Sequence, residues 1–206
     1  MGFERNVFIN CPFDDDYMPL LRPLLFSVYA LGFEPRIALE RFDSGRPRID
    51  KIVALISASK FAIHDLSRIR ATAAGEYFRL NMPFELGLDV GCRIFGRGRR
   101  ATKRCLILES ENYRYQAAIS DLSGFDIATH GDKPKRVVAE VRHWLNDCIR
   151  GDGASPSQIW ADFIEFISDK DADLARRGYT RQDIEGLPIR ELMRYMRDWL
   201  ARRPRT

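Results

Sequence analysis

Long apolar segments are missing from this sequence. No apolar run approaches the roughly 18 residues that a membrane-crossing helix needs, and residues 1–6 lack the basic end and apolar stretch of a signal peptide. We therefore expect a cytoplasmic protein with no membrane partner.

Paired cysteines and clustered histidines are also missing. The four cysteines form no CxxC pair, which argues against a zinc knuckle or a disulfide framework: Cys11, Cys92, Cys105 and Cys148. The three histidines are far apart in the sequence, at positions 64, 130 and 143. The aspartate run at 14–16 is better suited to capping a helix than to binding magnesium. The sequence predicts neither a metal site nor a cofactor.

Charge of one sign is not in large excess. The chain has 33 Lys and Arg against 29 Asp and Glu, a net charge of +4, which is weak evidence for a nucleic-acid partner. The basic loop at 97–104 leaves a nucleic-acid module as a third hypothesis, but no recognition motif or base-stacking pattern accompanies it. A small molecule is the preferred partner.

The apolar pattern predicts an α/β fold. Short apolar runs predict strands at 7–9, 33–39, 61–63, 105–108 and 125–128. Helical spacing fills the intervals at 20–31, 47–59, from 81 or 82 onward, and 137–149. Strands that alternate with helices, and lack strict polar alternation, are typical of a parallel sheet covered on both faces. We expect a flavodoxin-like fold.

The C-terminal quarter has a different pattern. A glycine, serine and proline rich stretch at 151–157 reads as a linker, and divides the chain into an α/β domain at 1–150 and a helical appendage at 151–206. Two amphipathic helices follow, centred on Phe163 and Met196. Their apolar stripes predict that the appendage caps the domain or joins subunits of a homo-oligomer.

Ligands of such folds bind outside the carboxyl ends of the strands. This rule selects the segments 10–13 and 64–68 and the loop leading to Glu85. Glu85 near the start of a helix is expected to be ionised and nucleophilic, because the helix dipole and free amides favour a carboxylate there. Asp65 follows a buried strand, so desolvation is expected to raise its pKa and make it a proton donor. Two carboxylates in these roles cleave N- or O-glycosidic bonds.

Structural interpretations of the same residues stay open at this stage. Glu85 can serve only to complement the helix dipole, and Asp65 can cap a turn with Ser67. His64 can be a strand-end hydrogen-bonding residue. Several arginines near the same edge are candidates to hold a phosphate, or simply solvated surface residues: Arg36, Arg46, Arg48, Arg68 and Arg79.

The sequence resembles the nucleoside 2-deoxyribosyltransferase family and its TIR-like relatives. The resemblance spans residues 5–149 and rests on Asn10-Cys11-Pro12-Phe13, on Asp65, and on Phe84-Glu85-Leu86-Gly87 followed by Gly91. It implies a flavodoxin-like fold and cleavage of an N-glycosidic bond. By the resemblance, Glu85 is the nucleophile, Asp65 handles the leaving base, and Asn10 lies in a loop that closes over the ligand. Small bacterial proteins of the TIR-like group also imply a role in antiphage defence.

The leading hypothesis is a hydrolase or glycosyltransferase, such as an NADase, that acts on NAD or a (deoxy)nucleotide. Its predicted catalytic residues are Glu85 and Asp65. The predicted substrate-binding residues are Asn10, Pro12, Phe13, His64, Arg68, Asn81 and Met82. The alternative is a non-catalytic nucleotide sensor or scaffold that uses the same pocket.

Overall fold

The computed structural model describes residues 2–40, 45, 47–68, 80–111, 119 and 124–203. These residues contain a five-stranded, all-parallel sheet in the order β2-β1-β3-β4-β5. The strands are β1 (Asn6–Asn10), β2 (Glu34–Ile37), β3 (Phe61–Asp65), β4 (Arg104–Glu109) and β5 (Ile127–Thr129). The predicted α/β, flavodoxin-like fold is confirmed.

The helices alternate with the strands, as the sequence predicts. They are α1 (Met18–Ala30), α2 (Arg48–Ser57), α3 (Asn81–Phe95), α4 (Pro134–Ile149), α5 (Pro156–Arg176), α6 (Arg181–Glu185) and α7 (Ile189–Ala201). Gly32 follows α1 with a φ of 77°. Because L side chains rarely adopt this left-handed conformation, glycine suits the reversal into β2.

Central burial explains the continuous apolar strands. Every residue of β1 and β3 is buried, since helices cover both faces of the sheet. The outer strands are shorter than predicted: β2 ends at Ile37, and β5 begins at Ile127 and pairs only with the last three residues of β4. No helix in the described ranges is both long and apolar enough to span a bilayer.

The aspartate run lies before α1 without capping it directly. The Asp14 carboxylate accepts a hydrogen bond of 3.0 Å from the backbone N–H of Tyr17, which caps a 3₁₀ turn at Asp15–Tyr17. This turn places Tyr17 at the carboxyl end of β3, where its hydroxyl meets Asp65 and its side chain is fully buried. The capping chemistry was predicted, but the tyrosine that it positions was not.

The C-terminal helices share the main core of the α/β unit. Phe26 of α1 stacks on Phe166 of α5, with ring centroids 5.6 Å apart, and meets Phe163 edge-on. Leu192 and Met196 of α7 are buried in the same cluster. The predicted apolar stripes therefore cap the domain, while the joining of subunits through these helices stays a prediction.

Candidate functional site

The carboxyl ends of the parallel strands bring four sequence-distant polar residues to one edge. Asn10 ends β1 and Asp65 ends β3, while Glu109 ends β4 and His130 directly follows β5. The register pairs Asn10 with His64. This edge is where ligands of open α/β sheets bind, and it contains most of the predicted site residues.

Asp65 is the centre of a buried polar network. Its side chain is inaccessible to solvent. Oδ2 accepts a 2.5 Å hydrogen bond from the Tyr17 hydroxyl and lies 3.2 Å from Nε2 of His130. Oδ1 accepts a 2.9 Å hydrogen bond from the backbone N–H of Ser67. The network thus joins the segments that follow three strands.

These contacts reverse the protonation expected for Asp65. Burial by itself acts to raise the pKa of this carboxyl, but the contacts from His130, Ser67 and Tyr17 act in the opposite direction, and the pKa is lowered below its ordinary value. The expectation of a raised pKa was wrong because the sequence did not reveal these partners. Asp65 is an ionised acceptor in this structure, and its direct part in base departure stays a prediction.

Glu85 is also placed differently from expectation. It is the fifth residue of α3, so it lies beyond the free amides of the first turn, where the dipole effect is concentrated. Its side chain is largely buried, with an exposed fraction of 6%. Among the described residues no donor is within hydrogen-bonding distance of its carboxylate.

The environment of Glu85 raises the pKa of its carboxyl. Burial is the main cause, and the positive charge of Arg48, at the start of α2, only partly offsets it. The sequence predicted that the helix terminus favours the ionised form of Glu85, and this prediction is wrong because the pKa shifts toward protonation. The result is a desolvated carboxylate whose negative charge is little compensated by the protein.

Cys11 is affected electrostatically by both carboxylates, Asp65 and Glu85. The thiol is buried in the loop after β1, and its pKa is raised well above the ordinary value by burial, then by the charges of Asp65 and Glu85. Both carboxylates therefore act electrostatically on the same first loop. Glu85 and Asp65, the predicted catalytic pair, therefore share one edge of the sheet. The pKa of Glu85 is raised and that of Asp65 is lowered.

A second buried network lies under α3. Nδ2 of Asn10 donates a 2.8 Å hydrogen bond to the carbonyl of Met82 and lies 3.0 Å from Nδ1 of His64. On the other side of the ring, Nε2 of His64 is 3.3 Å from Oδ2 of Asp89. Oδ1 of Asp89 is 2.9 Å from Nζ of Lys103. No two of these five residues are adjacent in sequence, yet they form one continuous chain of contacts.

The predicted substrate-binding residues divide into two groups. Asn10, Pro12, His64 and Met82 are buried, and the polar side chains among them are used in internal contacts. The more accessible ones are Phe13, Arg68 and Asn81. Hydrogen-bond contacts bring Asn10, His64 and Met82 together at the first turn of α3, and direct contact of the first group with a ligand stays a prediction.

The proposed phosphate-binding arginines are only partly available. Arg36 is held by Glu40 through a hydrogen-bonded ion pair, with a closest distance of 2.6 Å. Arg48 acts on Glu85, and Arg68 is partly exposed. Arg46 and Arg79 lie outside the described residues.

One cavity of the described residues lies away from this edge. A groove of about 860 Å³ runs between β2 and α7, and none of the predicted catalytic or substrate-binding residues lines it. Two of its arginines, Arg36 and Arg197, are paired with Glu40 and Glu34. Its volume alone does not make it a better candidate than the strand ends, where desolvated carboxylates and polar networks converge.

Sequence reasoning missed Tyr17, Asp89, Lys103 and the location of His130. A weak signal existed for Asp89, because this charged residue interrupts the apolar spacing of α3 between Leu86 and Val90. Tyr17 and Lys103 carry no local signal, since each meets its partner only when distant segments pack.

Comparisons with known proteins give no family for this chain. No protein-family model matches the sequence, and no curated protein matches it significantly. The functional assignment therefore depends on the site itself.

Proposed function

We propose that this protein cleaves the N-glycosidic bond of a nucleotide-like molecule, such as NAD or a (deoxy)nucleotide, at Glu85. The observation that carries the proposal is the Glu85 carboxylate, which is largely buried and lacks a hydrogen-bond donor among the described residues. It lies at the strand-end edge, with the ionised Asp65 network beside it.

Such a carboxylate suits a reaction that develops positive charge. As the base departs, the anomeric carbon of the sugar acquires oxocarbenium character. A carboxylate that, when ionised, accepts no hydrogen bond from the described residues leaves its negative charge uncompensated for that cation, and the low dielectric of a buried site strengthens the attraction. The raised pKa of free Glu85 fits this role, because the same burial that disfavours the lone anion favours the ion pair.

The described residues favour a base that leaves without a proton. Asp65 is ionised and already accepts its contacts, and the raised pKa of Cys11 makes its thiol a weak acid. A pyridinium nucleotide such as NAD meets this condition, since cleavage of its C–N bond sends the electron pair to the ring nitrogen and releases neutral nicotinamide. Glu85 either forms a bond to the anomeric carbon or stabilises the cation, and water then delivers the hydroxyl and loses a proton.

A base-release assay tests the proposal. Purified protein is incubated with NAD and with a panel of nucleosides and (deoxy)nucleotides, and free base is followed by chromatography. We expect nicotinamide release from NAD, and a loss of at least about 10²-fold in rate for Glu85→Gln, because the amide cannot supply the negative charge.

The matched control is Glu140→Gln on α4. This substitution makes the same chemical change at a partly exposed glutamate on a helix that packs against α1, and it should retain the wild-type rate. Absence of base release from every substrate, or equal rates for wild type and Glu85→Gln, would overturn the proposal.

Binding without cleavage is the second candidate. It is favoured by one observation: the side-chain donors of Asn10 and both ring nitrogens of His64 are engaged within the protein, which leaves fewer polar groups for catalysis. A nucleotide that raises the melting temperature and is recovered intact after long incubation would support the sensor and contradict the enzyme.

A further inference from the structure

Two buried ionisable residues, Asp89 on α3 and Lys103 before β4, have no part in the proposed chemistry. Asp89 is 2% exposed and Lys103 is 3% exposed, and their closest atoms are 2.9 Å apart. A buried ion pair of this kind adds little net stability, because desolvating both charges offsets their attraction. The pair contacts His64, and Asp89 follows Glu85 by one helical turn on α3, which suggests what the pair does.

The Met82 carbonyl fixes the orientation of the Asn10 amide. A carbonyl oxygen only accepts hydrogen bonds, so the atom of Asn10 that lies 2.8 Å from it must be the amide nitrogen. The same nitrogen is 3.0 Å from Nδ1 of His64. Since Nδ2 is a donor, Nδ1 of His64 must be the unprotonated, accepting nitrogen of the ring.

Asp89 constrains the second ring nitrogen of His64, Nε2. With Nδ1 accepting, the proton of neutral His64 is on Nε2, which faces Oδ2 of Asp89 at 3.3 Å. An ionised carboxylate accepts only, so it favours this tautomer and disfavours the other. Burial acts to raise the pKa of Asp89, but the contacts from His64 and Lys103 lower it below its ordinary value.

Lys103 holds the carboxylate in place. Nζ donates to the carbonyls of Ile56, at 2.8 Å, and Ser59, and it lies 2.9 Å from Oδ1 of Asp89. The ammonium is therefore anchored to the end of α2 and to the turn that leads into β3. Its charge is directed at one oxygen of Asp89 and leaves the other for His64.

We propose that Asp89 is a positioning residue: held by Lys103, it sets the tautomer of His64, and through Asn10 it fixes the first turn of α3. The hydrogen bond from Asn10 to Met82 is the last link, and Glu85 follows Met82 by three residues on the same helix. The chain of contacts is a feature of the fold by itself. Its effect on catalysis rests on the function proposed for Glu85.

Asp89→Asn is the informative change because it alters charge and donor pattern with almost no change in shape. Lys103 attracts the amide oxygen, which leaves the amide nitrogen facing Nε2 of His64. That donor forces the ring proton to Nδ1. Asn10 must then turn its oxygen toward the ring, and the Met82 carbonyl loses its donor.

Nitrogen-15 NMR of the imidazole rings measures the tautomer directly. The chain has only three histidines, so the signals can be assigned by single substitutions. In the wild type at neutral pH we expect His64 as the Nε2–H tautomer, and in Asp89→Asn as the Nδ1–H tautomer.

His130 provides an internal control in the same sample. Its Nδ1 accepts a 3.0 Å hydrogen bond from the backbone N–H of Asp132, and its Nε2 faces Asp65. It is therefore also expected to be the Nε2–H tautomer. It should keep this form in Asp89→Asn, because its ring contacts in the described part of the chain are with Asp65 and Asp132 and not with α3.

Two results would overturn the proposal: a wild-type His64 that carries its proton on Nδ1, or a tautomer that is unchanged in folded Asp89→Asn. The wild-type measurement decides the matter alone if the variant does not fold. Where base release is detected, we also expect kcat of Asp89→Asn to fall on the order of 10²-fold with a smaller change in KM, since Glu85 is displaced rather than removed.

The positioning role of Asp89 and the proposed function of Glu85 can be refuted separately. If no substrate is cleaved but the NMR result is as expected, the proposed function is wrong and the positioning chain stands. If bases are released but folded Asp89→Asn keeps both its tautomer and its kcat, the positioning role is wrong and the function of Glu85 stands.

Discussion

Replacing Glu85 by glutamine should make the protein more stable at neutral pH. Glu85 is largely buried, its carboxylate has no donor among the described residues, and the charge of Arg48 offsets the effect of burial only in part. An unpaired buried charge is more costly than an unpaired buried amide. We expect a gain of about 1 kcal/mol, which corresponds to a melting temperature higher by about 2–4 °C for a chain of this size.

The gain should depend on pH in a direction that follows from the pKa. The folded pKa of Glu85 is raised above the ordinary value of 4.5, so between the two values the folded state binds more protons than the unfolded state. Stability therefore falls as the pH rises from about 4.5 through the folded pKa, by about 1.4 kcal/mol for each unit of separation. Below that window both states are protonated, and the advantage of Glu85→Gln should shrink.

Thermal unfolding of wild type, Glu85→Gln and Glu140→Gln, at pH 7.5 and again below pH 4.5, measures this directly. The control at Glu140 should stay within about 0.5 kcal/mol of the wild type at both values. A folded Glu85→Gln that is less stable than the wild type at pH 7.5 would show that the carboxylate has a stabilising partner. The electrostatic account of the site would then be refuted.

Tyr17→Phe should cost about 1.5–3 kcal/mol in urea unfolding at neutral pH, because it removes the hydroxyl that donates to ionised Asp65. The pKa of Asp65 is lowered in the folded state. The stabilisation from its ionised form is therefore present above the pKa of the unfolded state, and it is lost as the pH falls through the pKa of the folded state. If Tyr17→Phe cost the same free energy of unfolding at acid pH, the assignment of Asp65 as an ionised acceptor would be contradicted. Phe26→Ala should cost about 3–5 kcal/mol and should unfold α5 and α7 together with the sheet in one transition, because Phe26 joins them in one core. Two separate transitions in calorimetry would instead indicate an independent C-terminal unit.

The sequence was sufficient for the order of the elements and for the gathering of polar residues at one edge of the sheet. Apolar runs such as 61–63 and helical spacing such as 137–149 follow from local burial, so each can be read in isolation. The rule for strand ends then placed Asn10, Asp65 and Glu85 at one edge. The outer strands differed in length, because strand ends depend on pairing with neighbours, while the predicted start of α3 at 81 or 82 agrees with Asn81.

What the sequence could not determine was the charge state of either carboxylate. The pKa of Asp65 depends on Tyr17 and His130, and the tautomer of His64 depends on Asp89 and, through it, Lys103; all these contacts join segments that are distant in the chain. Burial and donor geometry exist only after the sheet and helices have packed. Local pattern thus decided where the polar side chains gather, and tertiary structure alone decided which carboxylate is compensated by hydrogen-bond donors and which has none among the described residues.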